Sequence, residues 1–257
     1  MKALEFKNKA LIDLFSKKGY VIIDLPDVSV LAELEHLYFQ TMHIKPDSFY
    51  YSLLQNSPQQ NLNIKTRIHE ILKDTYRHIF DNFVCRSSSY LIKPAHFHEE
   101  MFLHRDWSFT DVRQFQVGTL WIPLIDVNKQ SGAMYVKAGS QVKDMEYISA
   151  SIPTRRIPYA QIPLEQLTTL EVARGQAVIF NPQIWHGSFP NETSNDRVVY
   201  TTQIYPHEAP FLYFHKDESN NVYQIKLRDD DFILKNLHQM VFNKFDFSAM
   251  RDRVLID

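Results

Sequence analysis

Gly175-Gln176-Ala177-Val178-Ile179-Phe180-Asn181-Pro182-Gln183-Ile184-Trp185-His186-Gly187-Ser188 is the stretch on which the fold turns. A short β-rich run, 177–181, ends at turn residues, and a second segment follows that carries a histidine. The same grammar runs outward from it. From Val84 onward, β-rich runs at 84–93, 112–124, 133–137, 177–181 and 197–205 alternate with turn residues. Five of the six glycines (118, 132, 139, 175 and 187) fall inside this stretch, four of them near strand ends. Short strands punctuated in this way predict a sandwich or barrel.

His186 is answered upstream by His104-Arg105-Asp106. On an extended strand, residues i and i+2 project to one face, so His104 and Asp106 can reach a single ion while Arg105 turns away. Two histidines and a carboxylate in the order His-X-Asp…His are the ligand set of a facial iron triad, which leaves the opposite face of an octahedral Fe(II) open. The plainer readings are a polar strand end at 104–106 and a partly buried histidine at 186. Ser188 can face the same cavity as His186 and donate to a carboxylate. Arg197 offers a planar fork suited to a dicarboxylate co-substrate, with a structural ion pair to Asp196 as the competing role. Thr119 and Trp121 share a strand face; Thr119 can hydrogen-bond a carboxylate, and Trp121 is equally a core aromatic. Thr201 is a weaker candidate of the same kind. Trp107 can wall the site or pack in the core. His96 and His98 form another i, i+2 pair, either a rival metal site or substrate contacts near the mouth.

Taken in order, these landmarks resemble the phytanoyl-CoA dioxygenase family of Fe(II)/2-oxoglutarate oxygenases, over about Tyr90 to Tyr205. His104-Arg105-Asp106 stands at the family's His-X-Asp, and Trp121-Ile122-Pro123-Leu124-Ile125-Asp126 resembles its tryptophan-led strand. Ser131 through Gln141 resembles its turn-strand-turn, with Ser131, Ala138 and Gln141 replacing the usual Asn, Pro and His. The resemblance implies a mainly β chain with flanking helices around a double-stranded β-helix, the cupin-like jelly roll. It also implies Fe(II) on His104, Asp106 and His186, and 2-oxoglutarate held by Arg197 and Ser188 beside Trp121, with O₂ as co-substrate. The expected reaction is hydroxylation of an unactivated C–H bond with release of succinate and CO₂. Asp106 counts against halogenation, which needs that coordination position free; desaturation and ring formation use the same ligands. A metal-binding, cupin-like protein without oxygenase activity is the reading from another class, and it has no need of Arg197 and Ser188.

The 257 residues suit one domain: a mostly helical support with a lid candidate at 1–83, the jelly roll at 84–205 and a C-terminal cover at 206–257. Helical periodicity predicts helices at 3–18 (capped by Gly19), 28–42, 66–83 and 230–242, and 20–25 reads as a short strand. Residues 43–64, rich in Asn and Gln and holding Pro46 and Pro58, read as a long loop, and with 95–103 as a lid over the site. The formal charge of −2 and the lack of a basic run disfavour nucleic acid. Cys85 stands alone, so no internal disulfide forms. No leader or membrane span stands out, which makes a cytoplasmic protein the expectation. Phosphate-cradling glycine loops and nucleophile elbows are absent. The favoured substrate is a small polar metabolite, an amino acid or a peptide-like molecule, with Glu99, Glu100, Arg105 and Arg113 as charges near the mouth.

Overall fold

The computed structural model describes every residue except 43, 44, 144, 243, 244, 248, 249, 251 and 257. The chain enters through α1 (Ala10–Lys18), which stops at Gly19; there the backbone turns left-handed (φ 81°) and the Gly19 N–H closes onto the Phe15 carbonyl. Residues 3–9, expected to begin this helix, are not helical. Lys2 and Phe6 instead bridge to Phe115 and Phe80, and Leu4 and Phe6 are buried. Tertiary pairing overrides the helical period there.

β1 (Tyr20–Asp24) and α2 (Val30–Thr41) lie close to their expected positions. The stretch 43–64 departs from its reading as a loop. Residues 43 and 44 are outside the described set, and the remainder holds β2 (Tyr50–Tyr51), α3 (Ser52–Gln55) and the first turns of α4 (Pro58–Ile79). Pro58 starts a helix instead of breaking one. The Ser57 side chain accepts from the Gln60 N–H and the Gln60 side chain returns to the Ser57 N–H. Such a cap is worth about 1 kcal/mol, and proline is tolerated at the first helical position because its missing N–H has no intrahelical partner.

The jelly roll is built from β3 (Phe83–Lys93), β4 (Met101–His104), β5 (Gly118–Pro123), β6 (Met134–Val136), β7 (Thr168–Leu170), β8 (Gln176–Phe180), β9 (His186–Ser188) and β10 (Arg197–Pro206). Residues 112–117, read as the start of β5, are a turn folded onto Asp111, whose carbonyl accepts from Gln114 and Phe115. One sheet has the order β1-β8-β5-β10-β3-β2 and the other β4-β9-β6-β7, all antiparallel. The chain alternates between the two sheets from β3 to β10, apart from β6 and β7, which are consecutive in the chain and pair within the smaller sheet. That winding is a double-stranded β-helix. β1 and β2 extend the larger sheet at its two edges, so the N-terminal third supplies strands as well as helical support.

Alternation along the larger sheet divides its side chains. Leu120, Ile122, Ile179, Val198 and Tyr200 pack outward with Phe15, Leu34, Ile68 and Leu72 of the helices. Trp121, Val178, Phe180 and Val199 point inward, where they meet Leu103, Met134 and Val136 of the smaller sheet. At one end lies β11 (Leu212–Lys216), β12 (Val222–Lys226), α5 (Phe232–Val241) and β13 (Arg253–Ile256); the three strands form their own sheet. Phe211, Tyr213, Leu234 and Leu237 of this unit share a core with Leu53, Phe109 and Tyr205. No helix among the described residues is long and apolar enough to cross a membrane.

Candidate active site

His104 and His186 are direct cross-strand partners on β4 and β9, so their side chains leave the smaller sheet on one face. His104 is the last residue of its strand, and Asp106 lies just beyond it. Its N–H donates to the Pro182 carbonyl in the turn between β8 and β9, which brings the carboxylate back to the histidines. Nδ1 of His104 is 2.8 Å from the Phe102 carbonyl and Nδ1 of His186 is 2.9 Å from the Ile184 carbonyl. A carbonyl can only accept, so Nδ1 carries the proton in both rings and Nε2 is left with its lone pair. Each Nε2 lies 3.6 Å from the same oxygen of Asp106. Among the described residues these three form the cluster able to hold a metal, their ligand atoms all within 4.8 Å of one another, and His96 and His98 join no such group.

The electrostatics suit a cation. Burial draws the His186 value down to about 4 against the opposing pull of Asp106, so its imidazole is neutral at pH 7. Burial pushes the Asp106 carboxyl up, but the two histidines outweigh it and leave it below its ordinary value. Neutral histidines and an ionised carboxylate are the forms that ligate iron. This arrangement predicts acid sensitivity. Below pH 6.5, the ordinary histidine value, the unfolded chain takes up a proton that folded His186 refuses until about pH 4. Stability therefore falls as pH drops through that window, and the depressed Asp106 value extends the loss to lower pH. The melting temperature of metal-free protein should decline from pH 6.5 to 4, and His186→Gln should flatten the decline; equal slopes in the two proteins would disprove the linkage.

A second cluster lies around Ser188, two residues further along the strand of His186. Arg197 is buried and donates through Nη1 to the Gly132 carbonyl (2.8 Å), while its Nε has no partner. Its guanidinium stands 5.7 Å from the centre of the Trp121 ring. Directly across the β3–β10 ladder is Lys93, which is 0% exposed. The Lys93 ammonium donates to Ser188 Oγ at 2.9 Å and to the Phe189 carbonyl. The Ser188 hydroxyl keeps its own proton to give. Burial, and then the neighbouring Arg197, pull Lys93 down to about 6; burial pulls Arg197 to about 10. Asn191 braces the Lys93 end of β3, its Nδ2 donating to the carbonyls of Lys93 and Pro94. Asp196, the competing partner for Arg197, binds the Ala95 N–H instead.

Thr119 is elsewhere. It shares an inward face with Trp121 but pairs with Gln203 and Phe180, and the Phe180 ring is 4.9 Å from that of His186. At about 3.3 Å per residue, Gln203 is roughly 20 Å along β10 from the Arg197 backbone. Thr119 therefore belongs to the metal end, not to the Arg197 end, and its hydroxyl is buried without a partner.

The family model for phytanoyl-CoA dioxygenase (PhyH) matches residues 39–199, more than half of the chain. The chain belongs to this family. It is accordingly a non-haem iron, 2-oxoglutarate-dependent enzyme, and the triad and cation cluster lie inside the matched region. Solved structures with the same fold include EvdO2 from Micromonospora carbonacea var. aurantiaca (14% identity, TM-score 0.59, covering 89% of this chain and 96% of that one). Another is the epimerase SnoN in complex with Fe3+, alpha ketoglutarate and nogalamycin RO (16% identity, TM-score 0.53, 77% and 82% covered). A third is HygX from Streptomyces hygroscopicus with nickel, 2-oxoglutarate and hygromycin B bound (13% identity, TM-score 0.54, 78% and 88% covered). No curated protein matches the sequence.

The turn that departs from the usual phytanoyl-CoA dioxygenase sequence is braced by its own contacts. Gly139 adopts φ 75°, and the Ser140 hydroxyl accepts from the Trp185 N–H, bracing the strand of His186. Gln141, in place of histidine, reaches the Ser16 carbonyl. Gly187 is required by contact: a Cβ there would lie 2.4 Å from the Met101 carbonyl oxygen. Arg105, expected near the mouth, is buried under Trp185 with Nη2 on the Ser140 and Lys143 carbonyls, and Arg113 packs on Tyr147. Glu100 faces Tyr135 and the Tyr159 N–H. Trp107 packs beside Phe109 and Tyr213, in the core shared with the C-terminal unit. Sequence reading missed Lys93 altogether. A lysine closing a β-rich run looks like a solvated strand end; only the register opposite Arg197 reveals it as buried.

Proposed function

We propose that the chain hydroxylates a C–H bond of a small-molecule substrate, with Fe(II) on His104, Asp106 and His186 and the far carboxylate of 2-oxoglutarate at Arg197, Ser188 and Lys93. The observation that carries this is the pairing of three convergent ligand atoms with two buried basic side chains, Lys93 and Arg197, joined to the triad through Ser188 on the strand of His186. Two basic groups buried without an anion are costly to charge, and a dicarboxylate reaching from the metal pairs with Arg197 and lets Lys93 take up its proton. A cupin-like protein that only holds a metal has no use for that second cluster. When bound, Fe(II) and 2-oxoglutarate supply the oxidising chemistry with O₂, yielding succinate and CO₂. The protein's own part is to present Nε2 rather than Nδ1, to keep the ligands unprotonated, and to hold the co-substrate in one orientation. The test is succinate formation from 2-oxoglutarate with and without Fe(II), followed by ¹⁸O₂ labelling of the product once a substrate stimulates turnover. Label in a new hydroxyl supports hydroxylation; an unlabelled isomerised or cyclised product refutes it.

The carboxylate ligand separates hydroxylation from halogenation. Asp106→Gly should lose hydroxylation and leave a coordination position that chloride can occupy. Full hydroxylase activity in that variant would mean that another carboxylate binds the iron.

Lys93 makes co-substrate binding a proton-linked event. Without an anion its value is about 6, so it is mostly neutral at pH 7.5. A carboxylate arriving beside it restores the charge, so binding should take up a proton. Calorimetry of 2-oxoglutarate binding to the metal-loaded protein, in buffers of different ionisation enthalpy, should show uptake in wild type and none in Lys93→Met. Zero uptake in wild type would remove Lys93 from the anchor.

A further inference from the structure

β3 and β10 carry a third buried basic side chain at the end away from Lys93 and Arg197. The ladder slips there: Ser88 faces Thr202 but Cys85 faces Ile204, so Arg86 and Ser87 together oppose Gln203. Arg86 is 6% exposed. Its guanidinium is held between the rings of Tyr205 (4.7 Å) and Phe211 (4.8 Å), and Nη2 donates to the Ala209 carbonyl at 2.6 Å. Nε forms an ion pair with the half-exposed Asp230 carboxylate at 3.4 Å, while Nη1 has no partner. The Ser87 and Thr119 hydroxyls nearby on the same inner face are likewise buried and unpartnered. Gln203, between them in the ladder, is bonded to the Tyr205 hydroxyl (2.8 Å).

This row is continuous with the metal end, because Gln203 pairs with Thr119, Thr119 with Phe180, and the Phe180 ring meets His186. The field of the Asp106 carboxylate reaches the Tyr51 and Tyr205 hydroxyls. Unsatisfied buried donors are expensive, about 1–3 kcal/mol each, and more for a charged group. Three such atoms, Arg86 Nη1 and the Ser87 and Thr119 hydroxyls, in one row continuous with the metal end mark a place for an acceptor that arrives with the substrate.

We propose that Arg86 is a specificity-determining residue that pairs with a carboxylate of the substrate, while Ser87 and Thr119 hydrogen-bond the same molecule. The planar fork of a guanidinium matches a carboxylate, and its clamping between two rings fixes the orientation of Nη1. One strand pair thus reads two anions, co-substrate at its Lys93–Arg197 end and substrate at its Arg86 end. This rests on the oxygenase reading above for which molecule is the substrate, but the anion site can be tested separately.

The probe is acetate, with acetamide as its neutral counterpart. Protein loaded with Zn(II) and 2-oxoglutarate, so that the Arg197 site is filled, is titrated while the Arg86 Nε–H resonance is followed by NMR; its assignment comes from its absence in Arg86→Lys. A saturable shift with acetate and none with acetamide is the expected result. Asp230→Asn, a change at an exposed residue, should tighten acetate binding about threefold, because Asp230 competes for the guanidinium with the worth of a surface ion pair. No saturable shift, an equal response to acetamide, or unchanged affinity in Asp230→Asn would overturn the proposal. Inorganic phosphate binding much more tightly than acetate would overturn the carboxylate assignment. If 2-oxoglutarate fails to bind, the oxygenase reading is what fails, and the acetate response of Arg86 still decides the anion site.

Discussion

His186→Ala protein, reloaded with Fe(II) under anaerobic conditions, should hold iron at least about a hundredfold more weakly than wild type and release no succinate above background. Changes to groups that merely orient a ligand already cost about 10–100-fold, and this variant removes a ligand itself. The two residues left, His104 and Asp106, lie two apart on one segment and would cover only one edge of the ion. His104→Ala should behave in the same way, since both Nε2 atoms converge on the same oxygen of Asp106 at 3.6 Å. Alanine is tolerated at both places by the strand ladder, so near-native circular dichroism is expected. Metal analysis and turnover by a folded His186→Ala variant settle the matter; wild-type turnover would show that the iron sits elsewhere.

Arg197→Ala should raise the concentration of 2-oxoglutarate needed for half-saturation by about thirty-fold or more. Truncating one partner of a buried charge pair costs about 2–5 kcal/mol, and each 1.4 kcal/mol is tenfold. Iron affinity in the absence of co-substrate should change little, because Arg197 makes its hydrogen bond to the Gly132 carbonyl and not to the triad. Equal co-substrate affinity in the variant would end the anchor role. Lys93 adds a second test of geometry. It and Arg197 face each other across one ladder, so the two substitutions should be non-additive in 2-oxoglutarate affinity.

The triad was legible because two of its members are two residues apart and the third sits in a distinctive His-Gly-Ser segment. Spacing on a strand dictates which side chains share a face, whatever the rest of the molecule does. The strands β3, β5, β6, β8 and β10 were legible from their β-rich runs between turn residues, β7 was not read, and α2 and α5 were legible from their apolar periods. Errors gathered where local pattern and tertiary context disagree. Residues 3–9 carry a helical period but are captured by bridges to Phe80 and Phe115. Residues 50–64 look like a loop in composition, yet Tyr50 and Tyr51 add a strand to the sheet edge.

Spacing and turn residues by themselves predicted a sandwich or barrel and singled out the two histidines with Asp106, since each depends on neighbours along the chain or on a strand's two-residue period; the jelly roll and the pairing of Arg197 with Ser188 followed from the family resemblance. The tertiary structure alone decided the rest. It buried Lys93 opposite Arg197, moved Thr119 to the metal end, locked Arg105 beneath Trp185 and left Arg86 with a free donor at the opposite end of the strand pair. In each case the controlling quantity is strand register and desolvation. A charged side chain reads the same in sequence whether water or a protein interior surrounds it, and only the assembled sheets determine which charges lose their water.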